Sequence, residues 1–255
     1  MIRTQRKLSL ALNFQKSFNM LFNSGTKLIA VTVFLFVAFQ YAANAQTESD
    51  VTYFSKDSIK QGRYTLIYIN KDKNFDSATG ERLKSTFFAV YPELAKAYNK
   101  KTARKVTFVI DPAYDGVAAT SDARVVFNPK WFERSPGDID VVTHEVMHIV
   151  QAYGDSPGPW WITEGIADYV RYKYGVDNTG AGWSLPDVNA KQNYDNSYRV
   201  TARFLVWIER IYSKNFVKKL DKEMRAHTYQ DDIWAELTGK NVADLWNEYT
   251  SNPGI

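Results

Sequence analysis

Residues His144-Glu145-Val146-Met147-His148 set two of the chain's three histidines four positions apart, with a glutamate beside the first. On an α-helix that spacing is about one turn, so both imidazoles leave the same face. Two neutral ring nitrogens held that close can grip one Zn²⁺, and Glu145 then faces a water activated by the metal. Zinc lowers the pKa of such a water towards about 7 and polarises a carbonyl oxygen. Glu145 can take the water's proton and deliver it to a leaving amine. The developing oxyanion needs a further donor, usually a Tyr, His or Arg. Metal-assisted hydrolysis of an amide bond is the chemistry this pattern predicts. Two histidines packed on a helix without metal are the competing explanation.

A catalytic zinc needs a third protein ligand. One solution adds a histidine six residues after the second, with a glycine halfway. Those positions hold Gly154 and Gln151, and Asp155 falls one residue too late for the aspartate version. The other solution takes a glutamate from a following helix. Thr163-Glu164-Gly165-Ile166-Ala167-Asp168-Tyr169 fits it, with Glu164 sixteen residues after His148 and a tight turn between. Asp168, one turn further on, is placed to accept the outer N–H of a ligating imidazole. Gly165 would let the two helices approach closely. A solvated helix face is the other reading of these two carboxylates. His227 reads as an exposed helix-end residue.

The elements that must position this chemistry follow from the pattern. Residues 63–69, 105–110 and 123–127 are β-branched and aromatic, which predicts strands, with Gly116 and Ser121-Asp122 in turns. Residues 77–98 carry apolar side chains at helical spacing, and Pro92 is placed to bend or divide that helix. The pentad belongs to a helix over 139–153 that stops at Gly154. A Pro/Gly loop leads to a second helix over 161–174, then a polar loop over 176–194. Helical pattern resumes at Ser197, and 242–249 forms a last amphipathic helix.

The net charge of +4 is misleading. Residues 1–45 hold five basic side chains and no acidic one; without them 27 basic residues face 28 acidic. Nothing electrostatic recommends a nucleic-acid partner. Lys27, the apolar run 28–39 and Ala43-Asn44-Ala45 read as a signal peptide cleaved after Ala45, with Met1 or Met20 as the start. The run is short for a membrane span. Cysteine is absent, which excludes a disulfide framework and an acylated lipoprotein.

Four stretches carry a family likeness: Gly116–Ser121, His144–Gln151, Glu164–Arg171 and Tyr198–Leu205. In order and spacing they resemble the basic secretory protein family of plants and bacteria, whose members look like zinc metallopeptidases of the gluzincin type. The resemblance implies His144, His148 and Glu164 as zinc ligands and Glu145 as general base. It also implies that strand Arg124–Phe127 rims the cleft, where a peptide could add as a strand. Tyr198 is assigned as oxyanion donor, with packing on the ligand helix as its alternative. Unlike the family's name, the mature part of this chain is not basic, so charge supports no acidic-surface or cell-wall role.

The expectation is therefore an α+β, zincin-like metallopeptidase: a signal peptide over 1–45 and one domain over 46–255. A twisted mixed sheet packs beside the active-site helix, and further C-terminal helices close the cleft. Its cofactor is Zn²⁺ and its partners are peptide or protein substrates, with no nucleic acid and no stable membrane anchor after signal cleavage. The protein is expected to be secreted, to the periplasm or outside the cell. Trp160, Trp161 and Tyr169 line the substrate or belong to the core. Two alternatives stand beside this reading. One is a secreted zinc-binding defence or interaction protein with little or no turnover, against which Glu145 argues, since a structural zinc is closed by four protein ligands. The other is a zinc amidase acting on cell-wall peptides.

Overall fold

The computed structural model describes residues 53–155 and 158–255; the expected signal peptide and its apolar run lie outside them. The sheet is built on β2 (Tyr64–Asn70) and β3 (Lys105–Ile110), which pair in parallel. In β2 the buried and half-buried positions alternate, so Tyr64, Leu66 and Tyr68 form one core face. A strand that was not expected, β1 (Ser55–Gln61), adds antiparallel to β2 through a turn at Gly62, whose φ is +56°. Its sequence is polar and mostly exposed, as an outer strand tolerates.

The crossover between β2 and β3 is α1 (Ser77–Ala97), capped by Asp76, whose carboxylate accepts from the Thr79 amide at 2.8 Å. Leu83, Phe87, Val90, Tyr91 and Leu94 recur at helical spacing and are buried against the sheet. Pro92 does not divide this helix, which continues to Ala97.

Beyond β3, the strands β4 (Ala118–Ser121) and β5 (Arg124–Phe127) make a hairpin turning at Asp122, with φ +51°. The strand order is β1-β2-β3-β5-β4, so β5 lies inside the sheet and β4 ends it. This corrects the expected rim strand: Arg124–Phe127 is paired on both sides, and the outer strand is β4, an element not expected, whose last residue Ser121 was placed in a turn. A further unexpected element, α2 (Pro129–Arg134), starts on the side-chain cap of Asn128.

The helical half follows: α3 (Val141–Gln151), α4 (Trp160–Tyr174), α5 (Tyr198–Ile211), α6 (Phe216–Ala226), α7 (Ile233–Thr238) and α8 (Val242–Ser251). Helix α3 packs on α1, β4 and β5 on one side and on α4 on the other; α5 packs on α4. The pentad helix ends two residues before the expected stop. Ala152 takes the left-handed turn at φ +46°, and Gly154 follows at φ +68°. Gly165 allows a close approach, but not the one expected: a Cβ there would lie 2.3 Å from Cγ2 of Thr201, so it is α5, not α3, that needs the space. Among the described residues no helix is long and apolar enough to cross a membrane.

Candidate metal centre

Every residue of α3 except His148 is buried, because the helix runs between the sheet and α4. Val142, Val146 and Val150, four residues apart, bury one apolar face of it. Its buried polar residues, Thr143, His144, Glu145 and Gln151, must then find partners within the protein. The short loop after Ala152 reverses the chain, and α4 returns beside α3 with Glu164 facing the histidines.

Three donor atoms converge there. Nε2 of His144 lies 3.1 Å from Nε2 of His148 and 3.2 Å from Oε2 of Glu164, and the third side of the triangle is 3.6 Å. Tetrahedral zinc with bonds of about 2.0–2.1 Å separates neighbouring ligand atoms by roughly 3.3 Å. The observed sides bracket that value, and two nitrogens with one carboxylate oxygen are a donor set zinc accepts. His144, His148 and Glu164 fit a metal ion.

Both histidines of the triangle, and Glu145 beside it, are held from behind. Nδ1 of His144 is 2.7 Å from Oδ1 of Asp168, which directs Nε2 inwards. Nδ1 of His148 is 2.7 Å from Oε1 of Gln151, whose amide nitrogen donates to the Thr163 carbonyl at 2.9 Å. Oγ1 of Thr120, on the outer strand, lies 2.6 Å from Oε2 of Glu145 and 3.0 Å from its backbone carbonyl. The Glu145 side chain is thus tied to the sheet by one carboxylate oxygen.

Electrostatics favours positive charge at the centre. Burial alone would lower the His144 pKa, but the carboxylates of Asp168 and Glu164 outweigh it and push the imidazole up to about 10. Burial likewise works to raise Glu164, yet the two imidazoles hold it down at about 2. A metal cation would supply that charge in place of protons.

A cleft of about 1520 Å³ opens over these groups, lined by β4, the pentad face of α3, Glu164 and Asp168 of α4, Trp183 and Tyr198. The Tyr198 ring stacks near-parallel to that of His144, with centroids 6.1 Å apart. It is 46% exposed, and the ring of Trp160, 59% exposed, stands nearly perpendicular to it with centroids 5.5 Å apart. Burial and the nearby carboxylates raise the Tyr198 pKa, so the phenol keeps its proton at neutral pH. Ser197 and Tyr198 both have positive φ, +66° and +46°.

A family described as "Peptidase of plants and bacteria" matches residues 52–249. The chain belongs to this family. No curated protein matches it. Among solved structures, native leukotriene A4 hydrolase from Saccharomyces cerevisiae is similar over 78% of this chain and 36% of its own, at 14% identity and a TM-score of 0.43. An M1 zinc metallopeptidase mutant from Deinococcus radiodurans, bound to a Tyr-Ser-Ala substrate, is similar over 79% and 49%, at 13% identity and a TM-score of 0.40. The chain therefore spans about a third to a half of the length of these two proteins.

Within this peptidase family member, the structure gathers His144, Glu145, His148, Glu164, Asp168 and Tyr198 around one cleft. It does not gather the other candidates. His227 is an exposed residue capping the C-terminus of α6. Trp161 stacks on Trp234 and Tyr169 is buried, so both belong to the core and only Trp160 stands near the site. Thr120 and Gln151 went unread as site residues. Both stand inside family-like stretches, Thr120 in Gly116–Ser121 and Gln151 in His144–Gln151, and Gln151 also holds the position where a glycine would extend the pentad.

Proposed function

We propose that this chain is a secreted, zinc-dependent metallopeptidase of the zincin-like type, with Glu145 as its general base. The observation that carries the reading is the donor triangle of His144, His148 and Glu164, at 3.1–3.6 Å, with the carboxylate of Glu145 in the same cleft and outside the triangle. Zinc would be held by Nε2 of both histidines and the Glu164 carboxylate, and when bound it supplies Lewis acidity to a water and to the scissile carbonyl.

The chain's own groups do the remaining work. Thr120 occupies Oε2 of Glu145, leaving Oε1 to take the proton of the attacking water. As the water oxygen bonds to the carbonyl carbon and the C–N bond breaks, Glu145 returns that proton to the leaving nitrogen. Tyr198 donates its phenol O–H to the developing oxyanion. The outer edge of β4, next to Glu145, takes the substrate backbone as an added strand, the part first assigned to β5.

Stripping the purified mature protein with a chelator should abolish cleavage of a broad peptide library, and zinc should restore it. Cleavage that survives complete metal removal would sink the reading. Release of free cell-wall stem peptides, with no cleavage within the library, would move the protein to the amidase class. N-terminal sequencing of the exported chain should begin at Gln46; a retained 28–39 segment would refute secretion.

A further inference from the structure

We propose that Gln151 is a positioning residue that fixes the His148 imidazole for the metal and locks it to the helix carrying Glu164. The proposal rests on the zinc site proposed above.

Gln151 is the last residue of α3, three positions after His148, and only 1% exposed. Its amide spans two helices, between Nδ1 of His148 at 2.7 Å and the Thr163 carbonyl at 2.9 Å. Chemistry assigns its two ends. A backbone carbonyl can only accept, so the NH₂ group must face Thr163. The amide oxygen must then face His148, and an oxygen there requires Nδ1 to be the donor. This leaves Nε2 of His148 with a free lone pair directed at the donor triangle, the tautomer a metal needs.

The bridge also bypasses the connecting loop. Between Gln151 and α4 the chain runs through left-handed turns at Ala152, Gly154 and Gly158. Gln151 instead ties His148 to Thr163, the residue immediately before Glu164. Asp168 makes the corresponding tie from α4 to His144. Both histidines are therefore positioned against the helix that carries the third donor, one through a carboxylate and the other through an amide. The two are not interchangeable. A carboxylate at position 151 would still accept from His148 but would confront the Thr163 carbonyl oxygen with a second acceptor.

Zinc affinity of the wild-type, Gln151→Leu and Gln151→Glu mature proteins, measured by competition with a chromophoric chelator, tests this. Both variants should bind zinc about 10–100-fold more weakly than wild type. Wild-type affinity in Gln151→Leu would overturn the proposal. Wild-type affinity in Gln151→Glu alone would overturn the bridge to Thr163. A wild-type protein that binds no zinc would instead refute the metal site itself. Should the variants fail to fold, ¹⁵N NMR of the metal-free wild type decides. His148 is expected to be protonated at Nδ1, and protonation at Nε2 would overturn the assignment.

Discussion

The donor triangle and the Tyr198 lip border the same cleft under different physical conditions. His144, His148, Glu145 and Glu164 stand on helices buried between a sheet and a further helix; Asp168, Gln151 and Thr120 hold the first three from behind, and Glu164 is partnered by the histidines themselves. Tyr198 is half exposed at the first turn of α5, and its backbone and that of Ser197 are both left-handed. The Ser197 backbone, at φ +66° and ψ −177°, occupies a region nearly reserved for glycine. Its hydroxyl is buried with no hydrogen-bond partner among the described residues. The triangle is satisfied and the lip is strained. Groups that hold a metal gain from being fixed before it arrives, whereas Tyr198, the proposed oxyanion donor, can carry strain supported by the packing of α5 against α4.

That contrast can be broken from either side. Glu164→Ala removes a donor and should weaken zinc binding by more than roughly 100-fold, beyond what loss of a supporting residue costs. Metal analysis after gel filtration checks it. Asp168 cannot substitute, because it engages the outer nitrogen of His144. Tyr198→Phe leaves the triangle intact, so zinc content should not change while kcat falls by about 10²–10³ with KM little altered. Equal losses of zinc and kcat would erase the distinction between the two regions. Ser197→Gly should release the strain at the lip and raise stability by about 1 kcal/mol in thermal unfolding. The same variant should lower kcat, because a relaxed backbone holds Tyr198 less firmly; lost stability would show that the lip is not strained.

Some of this was readable in the sequence and some was not, for physical reasons. The two histidines and Glu145 share one helix, so their relation is set by helical geometry alone. Glu164 was reachable because a short loop between two helices forces them side by side. Thr120 was hidden: its contact with Glu145 joins residues 25 apart and depends on β4 ending the sheet, and strand order is not written in chain order. Because β5 pairs in parallel with β3, the intervening β4 is thrown to the edge, and Arg124–Phe127, the expected rim, lies inside the sheet. β1 was missed because an outer strand needs little apolar patterning. Gln151 looks like any polar helix-end residue until the fold sets Thr163 opposite it.

The central claim is that the triangle holds zinc while Glu145 does the proton transfer. The direct test measures bound zinc and peptide cleavage on one preparation of Glu145→Gln. The account predicts one zinc per chain, as in wild type, with cleavage reduced by at least about 10²–10⁴-fold. Cleavage at the wild-type rate with zinc in place would contradict it.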